Sequence, residues 1–310
     1  MTNRATAENV VKFEWVEAPP DLAGYLNSLY VLKAGPQDIV EMMPAYSAQL
    51  CILLRGGGEM TFHDGHTAEA RTTYFLGPLT QAQKFTVHAD TVVLGASLNV
   101  RGWASLTGLP ADKAKDRTFA VKDVLTPEAT GRLEDVIGQV GAGELEELAG
   151  LDVLAEVIRQ GLKPLTARHE QIIAGTLAWL SGSFKPQISE LMDMLPYSDR
   201  QVQRLVSQFF GQPPVKLIRR FRAIRAGTLM TMDNLDPKLE AEIRSSFYDQ
   251  AHMIKEIRHF VGKTPRRLQP GGDSMVRETL GEPGYGSVDL FAGNHDRSWL
   301  ARRTCDGYRR

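Results

Sequence analysis

Side chains that could bind an anion are concentrated in one part of the chain. Residues 161–269 carry 17 Lys+Arg against 10 Asp+Glu, a net charge of +7, whereas residues 1–160 carry 13 against 21, a net charge of −8. The 310-residue chain as a whole is close to neutral, at −1. An acidic part joined to a basic part suggests that the basic part meets an anion, most often nucleic acid.

Few other residues could carry chemistry. Two cysteines, Cys51 and Cys305, exclude a disulfide framework and a multi-cysteine zinc site. Cys51 lies in the apolar run LCILL, which predicts a buried and unreactive thiol. The sequence shows neither a signal peptide nor an apolar run near the ~20 residues that span a bilayer. We therefore expect a cytoplasmic protein of about two domains.

The basic part contains an internal repeat. Residues 188–214 align with residues 239–265 at an offset of 51, which matches Phe209 with Phe260 and Gly211 with Gly262. Each copy is predicted to contain a short helix, a turn, an N-cap residue (Ser198 or Asp249) and a second helix that stops at glycine. Such a pair of helices forms a helix-turn-helix, and two copies in a basic segment indicate DNA binding.

The segment between the two copies, residues 213–232, is predicted to form one helix. About 18 residues of helix are ~27 Å long, so this helix could separate two second helices by close to the ~34 Å of one DNA turn. Basic residues decorate it: Lys216, Arg219, Arg220, Arg222 and Arg225.

Residues 166–268 resemble the DNA-binding domain of the AraC/XylS family of transcription regulators. The motifs that carry the resemblance are YSDRQVQRLVSQFFGQPP, KLIRRFRAIRAGTLM and SFYDQAHMIKEIRHFVGKTP, and they cover about a third of the chain. The second copy departs from the family pattern. Ser246 replaces a usual glycine, Met253 stands where phenylalanine is common, and the preceding helix LEAEIRSS is more charged than usual. These departures bear on how tightly the second copy packs and reads bases.

The resemblance implies a role for individual residues. Six positions would face base edges in the major groove: Arg200, Gln203, Arg204, Gln250, Ala251 and Lys255. Arginine can fork onto guanine and glutamine onto adenine, whereas Ala251 can touch only a thymine methyl group. Seven further positions are phosphate-contact candidates: Ser198, Lys216, Arg219, Arg222, His252, Lys263 and Arg266. The predicted core of the first copy consists of Met192, Leu195, Val202, Leu205 and Phe209.

The family resemblance also implies partners. These are double-stranded DNA at a promoter or operator, RNA polymerase, an unknown small-molecule effector and a second copy of the chain as a homodimer.

The N-terminal half is predicted to be rich in β-structure. Short strands bounded by turn residues, with a hairpin turn at Asp64-Gly65, favour an antiparallel sandwich or a small barrel. Together with the position before the DNA-binding domain, this pattern fits the cupin-like sensor barrel that the family resemblance implies. Residues 98–125 also resemble an uncharacterised N-terminal module of some AraC/XylS members. Aromatic residues that could line a ligand pocket or form the core are Trp15, Tyr46, Phe62, Tyr74 and Trp103.

Thr126-Pro127 is predicted to start a helical stretch that either packs on the barrel or forms a dimer surface. The expected fold class is therefore α+β: a sensor domain at 1–125, a helical linker at 126–163, a DNA-binding domain at 164–269 and a flexible tail at 270–310.

Ligand-type side chains occur in the β-rich part at His63, His66, Glu69 and His88. His63 and His66 straddle the hairpin turn, so their imidazoles need not converge, and we expect neither a metal nor another cofactor. No catalytic arrangement stands out. The expected function is a sequence-specific transcription regulator controlled by a ligand or a partner at its N-terminal domain. The alternatives are a cupin-type oxygenase, a DNA-alkylation repair protein with an AraC-like domain, and a sequence-indifferent DNA-binding protein.

Overall fold

The strands that the structure describes lie between residues 12 and 120. The computed structural model describes residues 11–232, 237–268 and 279–280. In these residues the strands are β1 Lys12–Val16, β2 Leu26–Lys33, β3 Ile39–Met43, β4 Ala48–Arg55, β5 Gly58–Thr61, β6 Thr67–Glu69, β7 Thr73–Leu76, β8 Gln83–Val87, β9 Val92–Leu98 and β10 Thr118–Ala120.

These strands form two antiparallel sheets that pack face to face. One sheet has the order β1-β2-β9-β4-β7-β10 and the other has the order β3-β8-β5-β6. Successive side chains of a strand point to opposite faces. Tyr30, Cys51 and Val93 of the larger sheet therefore meet Phe85 and Val87 of the smaller sheet in one apolar cluster. The hairpin turn predicted at Asp64-Gly65 is confirmed, with Gly65 at φ +86° between β5 and β6.

Four helices follow β9 in the chain: α1 Val100–Thr107, α2 Ala111–Ala114, α3 Pro127–Gly141 and α4 Glu147–Gly161. Of these, α1, α3 and α4 cover the outer face of the larger sheet. The predicted start of α3 is confirmed, because Thr126 Oγ1 accepts a hydrogen bond from Ala129 N at 3.2 Å. Leu133 of α3 and Leu154 of α4 are fully buried against the sheet residues of one large core. The apolar faces of α3 and α4 are therefore occupied within the single chain.

The described residues of the C-terminal region form helices joined by short loops. Its helices are α5 Ala167–Ser181, α6 Ile188–Met194, α7 Asp199–Phe210, α8 Pro214–Met230, α9 Pro237–Ser245, α10 Gln250–Val261 and α11 Pro265–Leu268. The β-rich part followed by the helical part confirms the predicted α+β fold class. Helix α8 contacts both α7 and α10. None of the described helices is long and apolar enough to cross a membrane.

Two apolar clusters organise the helical region. One joins α5, α6, α7 and the start of α8, and the other joins the rest of α8 with α9, α10 and α11. The predicted flexible tail, 270–310, lies outside the described residues except for Thr279 and Leu280. Leu280 is fully buried in the second cluster.

Candidate nucleic-acid interface

The first helix-turn-helix consists of α6 and α7, and α7 is called the first reader helix below. A capping box begins α6, in which Glu190 accepts a hydrogen bond from Gln187 N at 2.9 Å. Gly211 ends α7 in the left-handed conformation at φ +77°, as predicted. Four of the five predicted core residues are buried, namely Leu195, Val202, Leu205 and Phe209, and Met192 is half-buried. Burial of this stripe leaves Arg200, Gln203 and Arg204 exposed along one side of α7.

The second helix-turn-helix consists of α9 and α10, and α10 is called the second reader helix. Asp249 caps α10, since its Oδ1 accepts a hydrogen bond from His252 N at 2.7 Å. Gly262 ends α10 at φ +84°. The side chains that depart from the family pattern are accommodated, because Met253 is buried and Ser246 Oγ donates to Ile243 O at 2.6 Å.

The second reader helix also exposes the residues predicted to contact bases. Gln250, Ala251 and Lys255 lie at the surface of the first two turns. Ile254, on the same side, is 38% exposed. The structure thus gives both reader helices a solvent-facing side close to their N-termini.

A buried carboxylate joins the second reader helix to α8. Glu256 is 1% exposed, and its two oxygens accept from Arg219 Nε and Arg222 Nη2, each at 2.6 Å. Arg222 also donates to Ser246 O at 2.9 Å and lies over the Phe247 ring at 4.7 Å. These contacts hold α9, α10 and α8 together, because a buried charge is costly unless it is paired.

The phosphate-contact candidates fall into two groups in the structure. Ser198, Lys216 and Arg266 are exposed, and Arg219 keeps 48% of its side chain in solvent despite its ion pair. The other three are engaged within the chain: Arg222 as described, His252 with its Nε2 3.4 Å from Glu256, and Lys263 paired with Glu41 at 2.6 Å. Sequence patterns could not reveal the pair of Lys263 with Glu41, because these residues are 222 positions apart.

Two further arginines of α8 face the interior rather than solvent. Arg225 is 1% exposed, donates to Ser183 O at 3.1 Å and lies over the Phe184 ring at 4.1 Å. Burial lowers the pKa of Arg225 to about 10. Arg220 is also buried and directs two long hydrogen bonds of 3.4 Å to the carbonyls of Leu79 and Phe210.

The β-rich part contacts the C-terminal ends of both reader helices. At the first, Lys115 Nζ donates to Gly211 O at 3.2 Å. At the second, the backbone amides of Ala45 and Ala82 donate to Phe260 O at 2.7 Å and to His259 O at 3.0 Å. A side chain at Gly262 would place its Cβ 2.5 Å from Met42 Cβ, so the glycine also permits this close approach. Separate loops of the β-rich part therefore contact the C-terminal end of each reader helix.

The loop between β7 and β8 is central to these contacts. Asp116, at φ +53°, accepts hydrogen bonds from Thr80 N at 2.8 Å and from Gln83 Nε2 at 3.2 Å. On its other side, Thr80 O accepts from Gln212 Nε2, just beyond the first reader helix. The loop is therefore held by Asp116 within the β-rich part and contacts Gln212 of the helical region.

A cavity of about 570 Å³ opens between the two parts of the protein. Its walls are mainly apolar and come from both sides, including Leu26, Tyr46 and Trp103 from the N-terminal half and Ile173, Leu177 and Phe209 from the helices. Asn27, Arg101 and Arg220 supply polar groups. The volume suits a small molecule with an apolar body and a few polar atoms.

A smaller cavity of about 110 Å³ lies between the two sheets. Tyr30, Cys51 and Tyr74 contribute to its lining, and burial raises the pKa of all three, to about 11 for the Cys51 thiol. The prediction that Cys51 is buried is confirmed. Of the other aromatic candidates, Phe62 is in the core and Trp15 stacks on Phe13 at 4.9 Å.

The ligand-type side chains of the β-rich part have separate surroundings. His63 approaches Gln83, His66 stacks on Phe62, and His88 pairs with Asp38 at 3.1 Å. Among the residues that the structure describes, no three side chains of the histidine, cysteine, aspartate or glutamate type lie together as metal ligands would.

The exposed reader helices on one α-helical scaffold define the class of protein as a tandem helix-turn-helix protein with an N-terminal β-sandwich. Comparison with protein families and with curated proteins gave no match. Among solved structures, the chain is similar to unsaturated fatty acid-bound ToxT from Vibrio cholerae, at 12% identity and a TM-score of 0.43, covering 84% of this chain and 96% of ToxT. It is also similar to the AraC-like transcriptional activator CuxR, at 12% identity and a TM-score of 0.28, covering 70% of this chain and 86% of CuxR.

Proposed function

We propose that the chain is a sequence-specific DNA-binding transcription regulator of the AraC/XylS type, under the control of a ligand, and without enzymatic activity. The observation that carries the proposal is the pair of helix-turn-helix units that share helix α8 and expose the same side of each reader helix. The DNA-binding domain is assigned to residues 164–269 and the sensor to residues 1–125, with 126–163 between them.

The chemistry of the first reader helix supports reading of base edges. Arg200 and Arg204 offer planar forks that match guanine O6 and N7, and Gln203 offers the donor and acceptor that match adenine N6 and N7. All three are exposed within the first two turns of α7, the part of a recognition helix that meets base edges. Lys216, Ser198 and Arg266 are exposed for phosphate contact, which positions the protein without reading sequence.

The exposed cations also distinguish contact residues from structural ones. Arg222 and Lys263 are assigned to the scaffold, because their charges are already paired with Glu256 and Glu41 in buried surroundings. Moving either cation to a phosphate would take a partner away from a carboxylate that is largely buried, which is costly. Arg219 keeps enough exposure to serve both Glu256 and a phosphate.

The cavity between the two parts is assigned as the effector site. Its walls include residues of α5 and α7 as well as of the β-rich part, so an occupant would touch both. A ligand can shift an equilibrium between two arrangements only if it binds one of them better. A ligand that contacts both parts can bind one arrangement of the two parts more tightly than another.

The repair alternative lacks support at Cys51. Its thiol is buried, and a pKa of about 11 leaves little thiolate at neutral pH, whereas the thiolate is the nucleophile. Cys305 lies outside the described residues.

The proposal is tested by selecting binding sites from random duplexes with the full chain. We expect one enriched sequence that binds roughly 10³-fold more tightly than unrelated duplex. Equal affinity for every duplex would contradict the proposal and favour a sequence-indifferent DNA-binding protein.

The effector site is tested by filling the cavity with Leu177→Trp and measuring affinity for the selected sequence. We expect the affinity to change while the melting temperature is kept or raised. Leu148→Trp, at an exposed position outside the cavity lining, is the control that should leave affinity unchanged. An unchanged affinity for Leu177→Trp would speak against control through this cavity.

A further inference from the structure

The two reader helices differ in chemistry at equivalent positions. The offset of 51 residues pairs Arg200 with Ala251, Gln203 with Ile254, and Arg204 with Lys255. All six side chains are exposed. Two hydrogen-bonding side chains of the first reader helix therefore correspond to two apolar side chains of the second.

Ile254 is a large apolar side chain of α10 that stays exposed. The buried stripe of α10 is formed by Met253, Ile257, Phe260 and Val261, which pack against α8 and α9. Ile254 lies outside this stripe and leaves 38% of its surface in solvent. Ala251 is three positions earlier and therefore a neighbour on the same face of the helix. Together they form a small apolar surface on the side that carries Lys255.

An apolar surface in the major groove has a specific complement. Thymine presents a C5-methyl group there, whereas cytosine presents an amino group in place of the thymine O4 and lacks the methyl. Ile254 cannot hydrogen-bond, so a polar base edge held against it would lose its contact with water. The side-chain chemistry thus favours thymine at the bases facing Ala251 and Ile254.

We propose that the second reader helix selects thymine through methyl contacts with Ile254 and Ala251, while the first reader helix selects its bases through hydrogen bonds. The inference rests on the proposed function and adds Ile254 as a specificity-determining residue. A single binding site would then consist of one part read by polar groups and one part read by thymine methyl groups, with Lys255 adding charge on the same face.

The experiment replaces thymine with deoxyuridine in the selected binding site. Deoxyuridine keeps the base pairing and removes only the methyl group. For the unsubstituted chain, we expect each contacted position in the second half-site to lose roughly threefold to tenfold in affinity, as the loss of a buried methyl predicts. The Ile254→Ala variant should bind the thymine site more weakly and be insensitive to deoxyuridine at the position that Ile254 contacts.

A second variant, Ile254→Gln, copies the side chain of the first reader helix. Repeated site selection with this variant should replace one thymine of the second half-site with another base, adenine being the base that glutamine pairs with. Gln203→Ala serves as the matched control and should relax a position in the first half-site while leaving deoxyuridine sensitivity in the second. Melting temperatures check that these exposed substitutions keep the fold.

The outcomes separate this inference from the proposed function. Sequence-specific binding that ignores the thymine methyl groups, or equal deoxyuridine effects in the original chain and in Ile254→Ala, would overturn the inference alone. So would an Ile254→Ala variant with unchanged DNA affinity but lost promoter activation, because that result would place the side chain at a protein contact. Indifference to all DNA sequences would overturn both.

Discussion

In the first helix-turn-helix, the reader helix rests on an apolar cluster shared with α5 and α6, whereas in the second it rests partly on a buried carboxylate. Val202, Leu205 and Phe209 form the contact side of α7. The contact side of α10 includes Glu256 as well as Met253 and Ile257. Position 256 corresponds to Leu205 in the repeat. The two units therefore share a helical layout but not the forces that stabilise it.

This difference matters because apolar packing and ion pairing respond differently to change. Truncating a buried apolar side chain lowers the stability of the protein in proportion to the apolar surface removed and the cavity left behind. A buried ion pair contributes modestly to stability as a whole. Removing one partner destabilises the protein strongly, because the other charge stays buried without compensation. The second reader helix should therefore be the more sensitive of the two to loss of a charge on α8.

The largest expected effect follows from removing Glu256. Glu256→Ala leaves Arg222 with 11% exposure and without its carboxylate partner, so we expect the free energy of unfolding to fall by about 3 kcal/mol. Urea unfolding of the full chain measures it. Glu240→Ala, which breaks a solvent-exposed pair with Arg244, is the control and should cost less than about 0.5 kcal/mol. Similar losses in the two variants would mean that Glu256 is not a structural anchor.

The next effect concerns the two basic side chains at equivalent reader positions. Arg204→Ala should cost roughly 1–3 kcal/mol on the selected DNA site and relax one base position, because a bidentate guanine contact is lost. Lys255→Ala should cost less and relax specificity little, since lysine is a point charge without a fixed fork. Equilibrium binding to the selected site and to single-base variants distinguishes them.

Arg71→Ala removes an exposed charge from the β-rich part and controls for net charge. It should leave the affinity within the error of the measurement. If Arg204→Ala weakened binding to every sequence equally, direct base reading by the first reader helix would be refuted.

Much of the helical layout follows from local signals in the sequence. Thr126-Pro127 and Asp249 mark helix starts, and Gly211 and Gly262 mark helix ends, because caps depend on residues within one turn. The hairpin at Asp64-Gly65 is equally local. These features are predictable because no distant residue needs to be known.

The partners of Arg222 and Lys263 are distant in the sequence and could not be predicted. In the sequence, Arg222 and Lys263 are candidates for phosphate contact. In the structure, they form ion pairs with Glu256 and Glu41. Helical periodicity places a charged residue such as Glu256 at the surface. Its burial depends on tertiary contacts with α8, which the sequence pattern does not show. Ile254 is an intermediate case, because the repeat already matched it with Gln203, but its exposure could be measured only in the structure.

Salt dependence sharpens the distinction between contact cations and structural cations on α8. Lys216 is exposed, and Lys216→Ala should weaken binding to all duplexes equally and reduce the slope of log affinity against log salt concentration by about one. Arg222→Ala should lower the urea midpoint of unfolding and leave the salt slope unchanged, because the charge of Arg222 is paired with Glu256. A reduced slope for Arg222→Ala would show that Arg222 does reach a phosphate.

The smallest expected effect lies at the starts of the two reader helices. Asp249 accepts a hydrogen bond from His252 N, so Asp249→Ala should lower the free energy of unfolding by about 1 kcal/mol, and Asp249→Asn should restore most of it. The Ser198 side chain makes no such bond to α7, so Ser198→Ala should cost almost nothing in stability. Its hydroxyl remains available to DNA, and the variant should instead lose some affinity for every duplex alike. A stability loss at Ser198 equal to that at Asp249 would mean that both serine and aspartate act as caps, and the hydroxyl would no longer be a candidate for phosphate contact.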